Sequence, residues 1–307
     1  MLDKYTHKKK KNQVVAVYTD KHMSGKMQRR ICECGDWMKW IADREMVKMK
    51  LHKSNLCKNR FCPICAWIQA KKDAIKIGVI MDYIECEHGK EFIFVTLTAP
   101  NVGGVVLPQE VTKYNRSFKK LVERDIVTRM NHGYIRKLEI TYNKVWDDYH
   151  VHFHCVFAVN KSYFSDRTYI SQQKWLDMWR DVMDDESITQ VDVRKVKRGG
   201  STKDVREIAK YAAKDSEYTI SQEVFDCFYG ALKGRQLITY NGLFKESNKK
   251  YKDKELEEYK KLDCTEYYYM LLYRWGKGEY IEMERRELTE EEKILIIKQL
   301  LGETDDD

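Results

Sequence analysis

Between Tyr149 and Val159 the chain alternates two kinds of residue with a period of two. His150, His152 and His154 share one parity; Val151, Phe153, Cys155, Phe157 and Val159 share the other. A β-strand turns every second side chain to the same face. The stretch therefore predicts a strand with a wholly apolar back in a core and a front lined by imidazoles. Imidazole is the commonest transition-metal ligand, and neighbours on one face can grip one ion. The alternative is an exposed strand face that happens to carry histidines. The fully apolar back argues for the metal site.

The rest of the chain must supply that core. Its 307 residues suffice for one large domain or two smaller ones. No apolar run approaches the roughly 20 residues needed to span a bilayer. The basic N-terminus is followed only by the short apolar patch Val14–Tyr18, too little for a secretion signal. The reading is a cytoplasmic protein without a membrane partner. A net charge of +8 and the run Lys8-Lys9-Lys10-Lys11 suit a polyanion partner, although many lysine-rich proteins share them.

Of nine cysteines, five fall between residues 32 and 65. In a reducing compartment such clustering points to metal, not to disulfides. Cys57, Cys62 and Cys65 form a knuckle, and Cys34-Gly35 lies upstream with a glycine free to turn around an ion. Four thiolates make a closed tetrahedral Zn²⁺ site that can fold a segment too small to fold alone. Cys34, Cys57, Cys62 and Cys65 are the expected ligands, with Cys32 or His52 as substitutes for the fourth. Such a zinc is structural, since no position stays open for chemistry.

The expected organisation is a basic, poorly ordered arm over 1–30, a zinc-binding module over 31–70, a core over 71–225 and an accessory region over 226–307. Helices are expected over 66–86, 109–131 and 171–184, and strands over 92–98 and 189–196. A basic loop carries Lys195, Lys197 and Arg198. Residues 135–142 and 149–159 read as the arms of a hairpin. If Tyr142 faces Tyr149, Glu139 faces His152, which makes Glu139 the candidate third ligand. A slip of one residue would turn it to the other face. Towards the C-terminus, Tyr267–Trp275 and Glu279–Glu284 suggest a second hairpin, and Thr289-Glu290-Glu291-Glu292 a capping box.

A further amphipathic helix runs over 204–215. Val205, Ile208, Ala209, Ala212 and Ala213 form its buried stripe. Glu207 and Tyr211 lie opposite, four residues apart and therefore neighbours. A tyrosine hydroxyl can serve as a covalent nucleophile, and a carboxylate beside it as a general base. By itself this would be an ordinary solvated face; a metal site upstream changes the balance. Tyr218 is the substitute nucleophile.

Three stretches taken together, Phe94–Asn101, His152-Phe153-His154 and Glu207–Tyr211, resemble the rolling-circle replication initiators (Rep proteins) of small bacterial plasmids, within the HUH endonuclease superfamily. The cysteine pieces and the segment Arg235–Lys245 are similar to the subgroup that couples a Glu with the Tyr. The resemblance covers roughly residues 32–245; one departure is Val151, where the family often has Pro. It implies an α+β fold: an antiparallel sheet with the His pair on a central strand, helices packed on it, and a small zinc module. It implies that His152, His154 and a third ligand hold Mg²⁺ or Mn²⁺. Tyr211 would then nick one strand of plasmid origin DNA through a 5′-phosphotyrosyl link, leaving a 3′-hydroxyl primer, and Glu207 would activate water for the terminating cleavage. Host helicase and polymerase are the implied partners, and a homo-oligomer is compatible. The competing readings are a tyrosine transposase or relaxase of the same superfamily, and a non-catalytic zinc-containing DNA-binding regulator.

Overall fold

The computed structural model describes residues 2–196, 208 and 214–300. In chain order the strands are β1 (Trp37–Ala42), β2 (Met49–Ser54), β3 (Lys90–Thr98), β4 (Tyr134–Asn143), β5 (Asp148–Asn160), β6 (Val191–Lys195), β7 (Ile238–Tyr240), β8 (Tyr269–Gly276) and β9 (Glu279–Glu287). They form two antiparallel sheets, ordered β2-β1-β8-β9 and β6-β3-β5-β4-β7. The chain divides into two compact units, residues 1–69 with 260–307, and residues 70–259. The class is α+β, as expected.

In the larger unit the histidine strand is central. β5 pairs with β3 on one side and β4 on the other, and the interior of its thirteen residues is almost wholly buried. Its apolar back packs on helices Leu107–Val122 and Gln172–Met183. There Tyr114 and Phe118 meet Phe153 edge-on, and Trp175 lies against Phe157. The front carries the imidazoles at one end. At its other end Phe94, Val156, Ala158 and Ile135 join Ile77, Ile80, Ile84 and Phe244 in a core cluster. A core on one part of the face leaves the remainder for polar groups.

The helix expected over 109–131 is two, Leu107–Val122 and Asp125–Met130, because Arg124 is extended and its carbonyl restarts the ladder by accepting from Val127 and Thr128. β7 belongs to this sheet through Ile135↔Tyr240.

In the smaller unit β8 pairs with β1, joining segments more than 200 residues apart. The hairpin β8–β9 follows the expected pattern, with Trp275 opposite Tyr280. The capping box is formed: Glu292 N–H donates to Thr289 Oγ1 (3.2 Å), and Thr289 N–H donates to Glu292 Oε2 (3.0 Å). The poorly ordered arm expected at the N-terminus is instead the helix Leu2–Tyr18. Its buried residues Tyr5, Lys9, Asn12, Val15 and Ala16 make a helical stripe. Two of them are polar, so an apolar-periodicity reading passes over it.

Candidate active site

Strand register assembles the front of the sheet. Across β4 and β5, Tyr142 faces Tyr149, Glu139 faces His152 and Lys137 faces His154; across β3 and β5, Thr98 faces His152 and Thr96 faces His154. Directly opposed residues share a face, so Glu139 stands with the imidazoles in the register that the alternation predicts. Glu139 Oε2 lies 3.1 Å from His154 Nε2 and 3.5 Å from His152 Nε2. All three residues are buried, and one donor atom from each falls within 4.8 Å of the others. Two imidazole nitrogens and a carboxylate oxygen, converging and withdrawn from water, can hold a divalent transition ion such as Mn²⁺.

The electrostatics fit a cation. Burial pushes the Glu139 carboxyl up, but hydrogen bonds from His152 and His154 outweigh it and hold the acid well below the usual carboxylate range. The His154 ring is oriented from behind, with Nδ1 3.3 Å from Thr96 Oγ1 while Nε2 faces Glu139. Nδ1 of His152 is buried without a hydrogen-bond partner. His150 stands apart from the trio: its Nε2 hydrogen-bonds Thr98 Oγ1, and its ring stacks on His152 with centroids 5.0 Å apart. Burial and the neighbouring His152 lower its pKa.

Two further side chains share this face, Thr96 and Lys137. Thr96 shares the parity of Thr98 on the adjoining strand, and Lys137 precedes Glu139 by two, which is the signal that places both on this face. Lys137 is buried, and burial draws its ammonium down to about 8 against the opposing influence of Asp73 and Glu139.

The cysteine cluster is equally definite. The sulfurs of Cys34, Cys57, Cys62 and Cys65 converge, with Cys34–Cys65 at 3.5 Å and both Cys57–Cys65 and Cys34–Cys62 at 3.6 Å. A tetrahedron with Zn–S of about 2.3 Å sets sulfurs about 3.8 Å apart, so the four fit zinc. Backbone N–H groups of Cys57 and Lys58 donate to Cys34 and Cys65 at 3.3 Å, as thiolates require. Hydrogen bonds from Cys34, Cys57 and Cys62, with that from Lys58, draw the Cys65 thiol strongly down. Cys32 is exposed, and neither it nor His52 belongs to the converging group. Gly35 has φ +74°, and a Cβ there would stand 2.8 Å from Ile64 Cδ1, so the turn beside Cys34 requires glycine. Behind the sulfurs, Lys9 Nζ donates to the carbonyls of Cys32 (2.7 Å) and Cys34 (2.8 Å), and Asn12 Nδ2 lies 3.3 Å from Cys62 Sγ.

Glu207 and Tyr211 lie outside the described residues, as do Lys197 and Arg198 of the basic loop. Ile208 is described: it is buried in the core cluster with Phe94 and Val156, on the front of the sheet. Tyr218, the substitute nucleophile, is a core residue, 3% exposed and edge-on to Phe225 and Phe228. No helix among the described residues is long and apolar enough to cross a membrane.

Residues 48–281 match the family model described as "Replication protein". A "Protein rep" from Staphylococcus aureus is 50% identical over 222 residues, covering 72% of this chain and 96% of that protein. One from Bacillus amyloliquefaciens is 34% identical over 250 residues, 73% of each chain. A "Replication protein" from Staphylococcus aureus is 26% identical over 193 residues, 59% of this chain and 82% of its own length. No solved structure matches the chain.

Proposed function

The chain belongs to this family of replication proteins, and from that premise we propose that it initiates rolling-circle replication of a plasmid by nicking one strand of the origin. The observation that carries the reading is the buried Glu139–His152–His154 group in a chain of this family. A divalent ion, Mg²⁺ or Mn²⁺, bound there would supply polarisation of the scissile phosphate and stabilisation of developing charge.

The chain's own residues do the rest. Glu139, His152 and His154 would be the ion's protein ligands, and Thr96 orients the ring of His154. Tyr211 is the nucleophile. Its oxygen bonds to phosphorus as the bond to the 3′ oxygen breaks; the phenol gives up a proton and the departing oxygen takes one up. The phosphotyrosyl link keeps the phosphoester energy, so the strand can be rejoined, and the free 3′-hydroxyl primes a host polymerase behind a helicase. Glu207, four residues before Tyr211, is suited to take a proton from water in the terminating cleavage. Burial of Ile208 beside Phe94 and Val156 supports this role for the segment, since Val156 follows His154 by two on the same face. The four cysteines would hold a structural Zn²⁺ that folds the segment around them. The protein acts in the cytoplasm.

The test uses the full chain with supercoiled plasmid carrying its own origin and Mn²⁺. The wild type is expected to give nicked circles bearing covalently attached protein, and peptide mapping to find the label on Tyr211. Tyr211→Phe should abolish nicking while origin binding survives. Undiminished nicking by Tyr211→Phe, or nicking insensitive to EDTA, would sink the assignment.

A further inference from the structure

The back of the same sheet contains a charge that the nicking reading does not use. Arg136 on β4 faces Cys155 on β5 and Thr239 on β7, the parity opposite to Glu139. It is only 7% exposed. Its guanidinium carbon lies 4.3 Å from the ring centre of Phe153 and 5.0 Å from that of Phe118. Among the described residues no carboxylate pairs with it and no acceptor takes its N–H groups; Nε is buried without a partner. The Nε edge of this guanidinium is dry and unpaired, and two aromatic rings replace only part of its hydration. Buried charges are normally paired, and an exception points to something missing.

The missing partner has a place to sit. Arg136 lines a cavity of about 520 Å³ with Asn115, Lys119, Asn131, Thr239 and Asn241. That volume is in the range of small-ligand sites. At the mouth the exposed Lys119 ion-pairs with Glu123, which also lines the cavity, so these charges cancel and Arg136 remains uncompensated. Asn131 accepts from Gly133 N–H through its side-chain oxygen, leaving its amide N–H groups as donors. A planar fork of donors flanked by amides matches the oxygens of a phosphate ester.

We propose that this cavity binds a phosphate ester of nucleotide size, held by Arg136 on the sheet face away from the metal ligands. The phosphate is either that of a free nucleotide or one carried on a DNA strand. It is not the scissile phosphate, because Glu139, His152 and His154 face the other way.

The test compares the full wild-type chain with Arg136→Met, using dTMP and an unphosphorylated twelve-residue oligo(dT) as probes in calorimetric titration and thermal unfolding. A free-nucleotide site predicts saturable dTMP binding that Arg136→Met weakens at least tenfold, with no difference between the two proteins on oligo(dT). A strand site predicts the same difference on oligo(dT) instead. Either outcome supports the proposal if, without probe, Arg136→Met melts no lower than wild type, as removal of an unpaired buried charge predicts. Equal binding of both probes by the two proteins would overturn it. So would a lower melting temperature of the probe-free variant, which would make Arg136 a packing residue.

Discussion

Lys9 offers the sharpest single test of the structure, because it sits in a run of four lysines whose members look interchangeable in the sequence. Only 1% of its side chain is exposed, whereas Lys10 is exposed. Its ammonium donates to the carbonyls of Cys32 and Cys34 and pairs with Asp36 at 2.7 Å. Asp36 is 45% exposed, so that pair contributes at most about 1 kcal/mol after solvent screening. The charge-assisted bond to the buried Cys34 carbonyl contributes roughly 1.5–3 kcal/mol and that to the part-buried Cys32 carbonyl towards the lower end of that range, and deletion leaves both without this donor. Methionine fills similar space and recovers some packing. The net cost of Lys9→Met is therefore about 3–5 kcal/mol, against ~0.5 kcal/mol or less for Lys10→Met. At about 4 °C per kcal/mol this lowers the transition of residues 1–69 with 260–307 by on the order of 10–20 °C. The assay is thermal unfolding of the zinc-loaded full chain by circular dichroism, with zinc release followed by a metallochromic dye. Lys9→Met should also release zinc earlier in the melt. If the two variants melt together, the lysine does not brace the cysteine site and the helix Leu2–Tyr18 is not packed as described.

Other expectations follow from the metal trio. Thr96→Val removes the partner of His154 Nδ1 and should weaken Mn²⁺ binding roughly 10- to 100-fold, with Thr96→Ser restoring it; titration with Mn²⁺ followed by electron paramagnetic resonance reads this directly, and unchanged affinity would rule the contact out. In the metal-free protein the folded pKa of Glu139 lies below its unfolded value of about 4.3. Its contribution to stability is then fully present above that value and fades as pH falls through the folded pKa. Denaturant titrations of wild type and Glu139→Gln should therefore differ by a constant amount near neutrality and converge in acid; a gap that widens in acid contradicts the direction. Glu207→Ala should spare the first nick and impair termination, seen as accumulation of over-length strands; equal loss of both steps would remove Glu207 from the role of base. Tyr218→Phe, a change inside the core, should nick like wild type, and loss of covalent attachment there would reopen its candidacy.

Much of the site was legible because it is written in local periodicity. A period of two across 149–159 and the arms of one hairpin suffice to put Glu139 beside His152, since a short connection leaves few registers and only one buries Phe153 and Phe157. The cysteine spacing similarly marks its own cluster, because ligands must converge on a point whatever surrounds them. Thr96 was half legible: its parity is visible, but its contact with His154 depends on β3 lying beside β5.

Other features had no local signature. Nothing near Tyr269 says that β8 will pair with β1, or near Ile238 that β7 will extend β4; such pairings are chosen by the burial of whole faces, not by neighbours in the chain. The polar stripe of Leu2–Tyr18 belongs to the same class, because Lys9 and Asn12 are tolerated inside only where the backbone and sulfur of the cysteine module meet their hydrogen bonds. The uncompensated charge of Arg136 likewise exists only once two phenylalanines from distant elements close over it. By itself, then, the sequence determined which side chains could act together along one strand, one hairpin and one knuckle. Tertiary structure alone decided which distant segments complete the sheets and which charges lose their water, because both depend on surfaces that come into being only when the chain has folded.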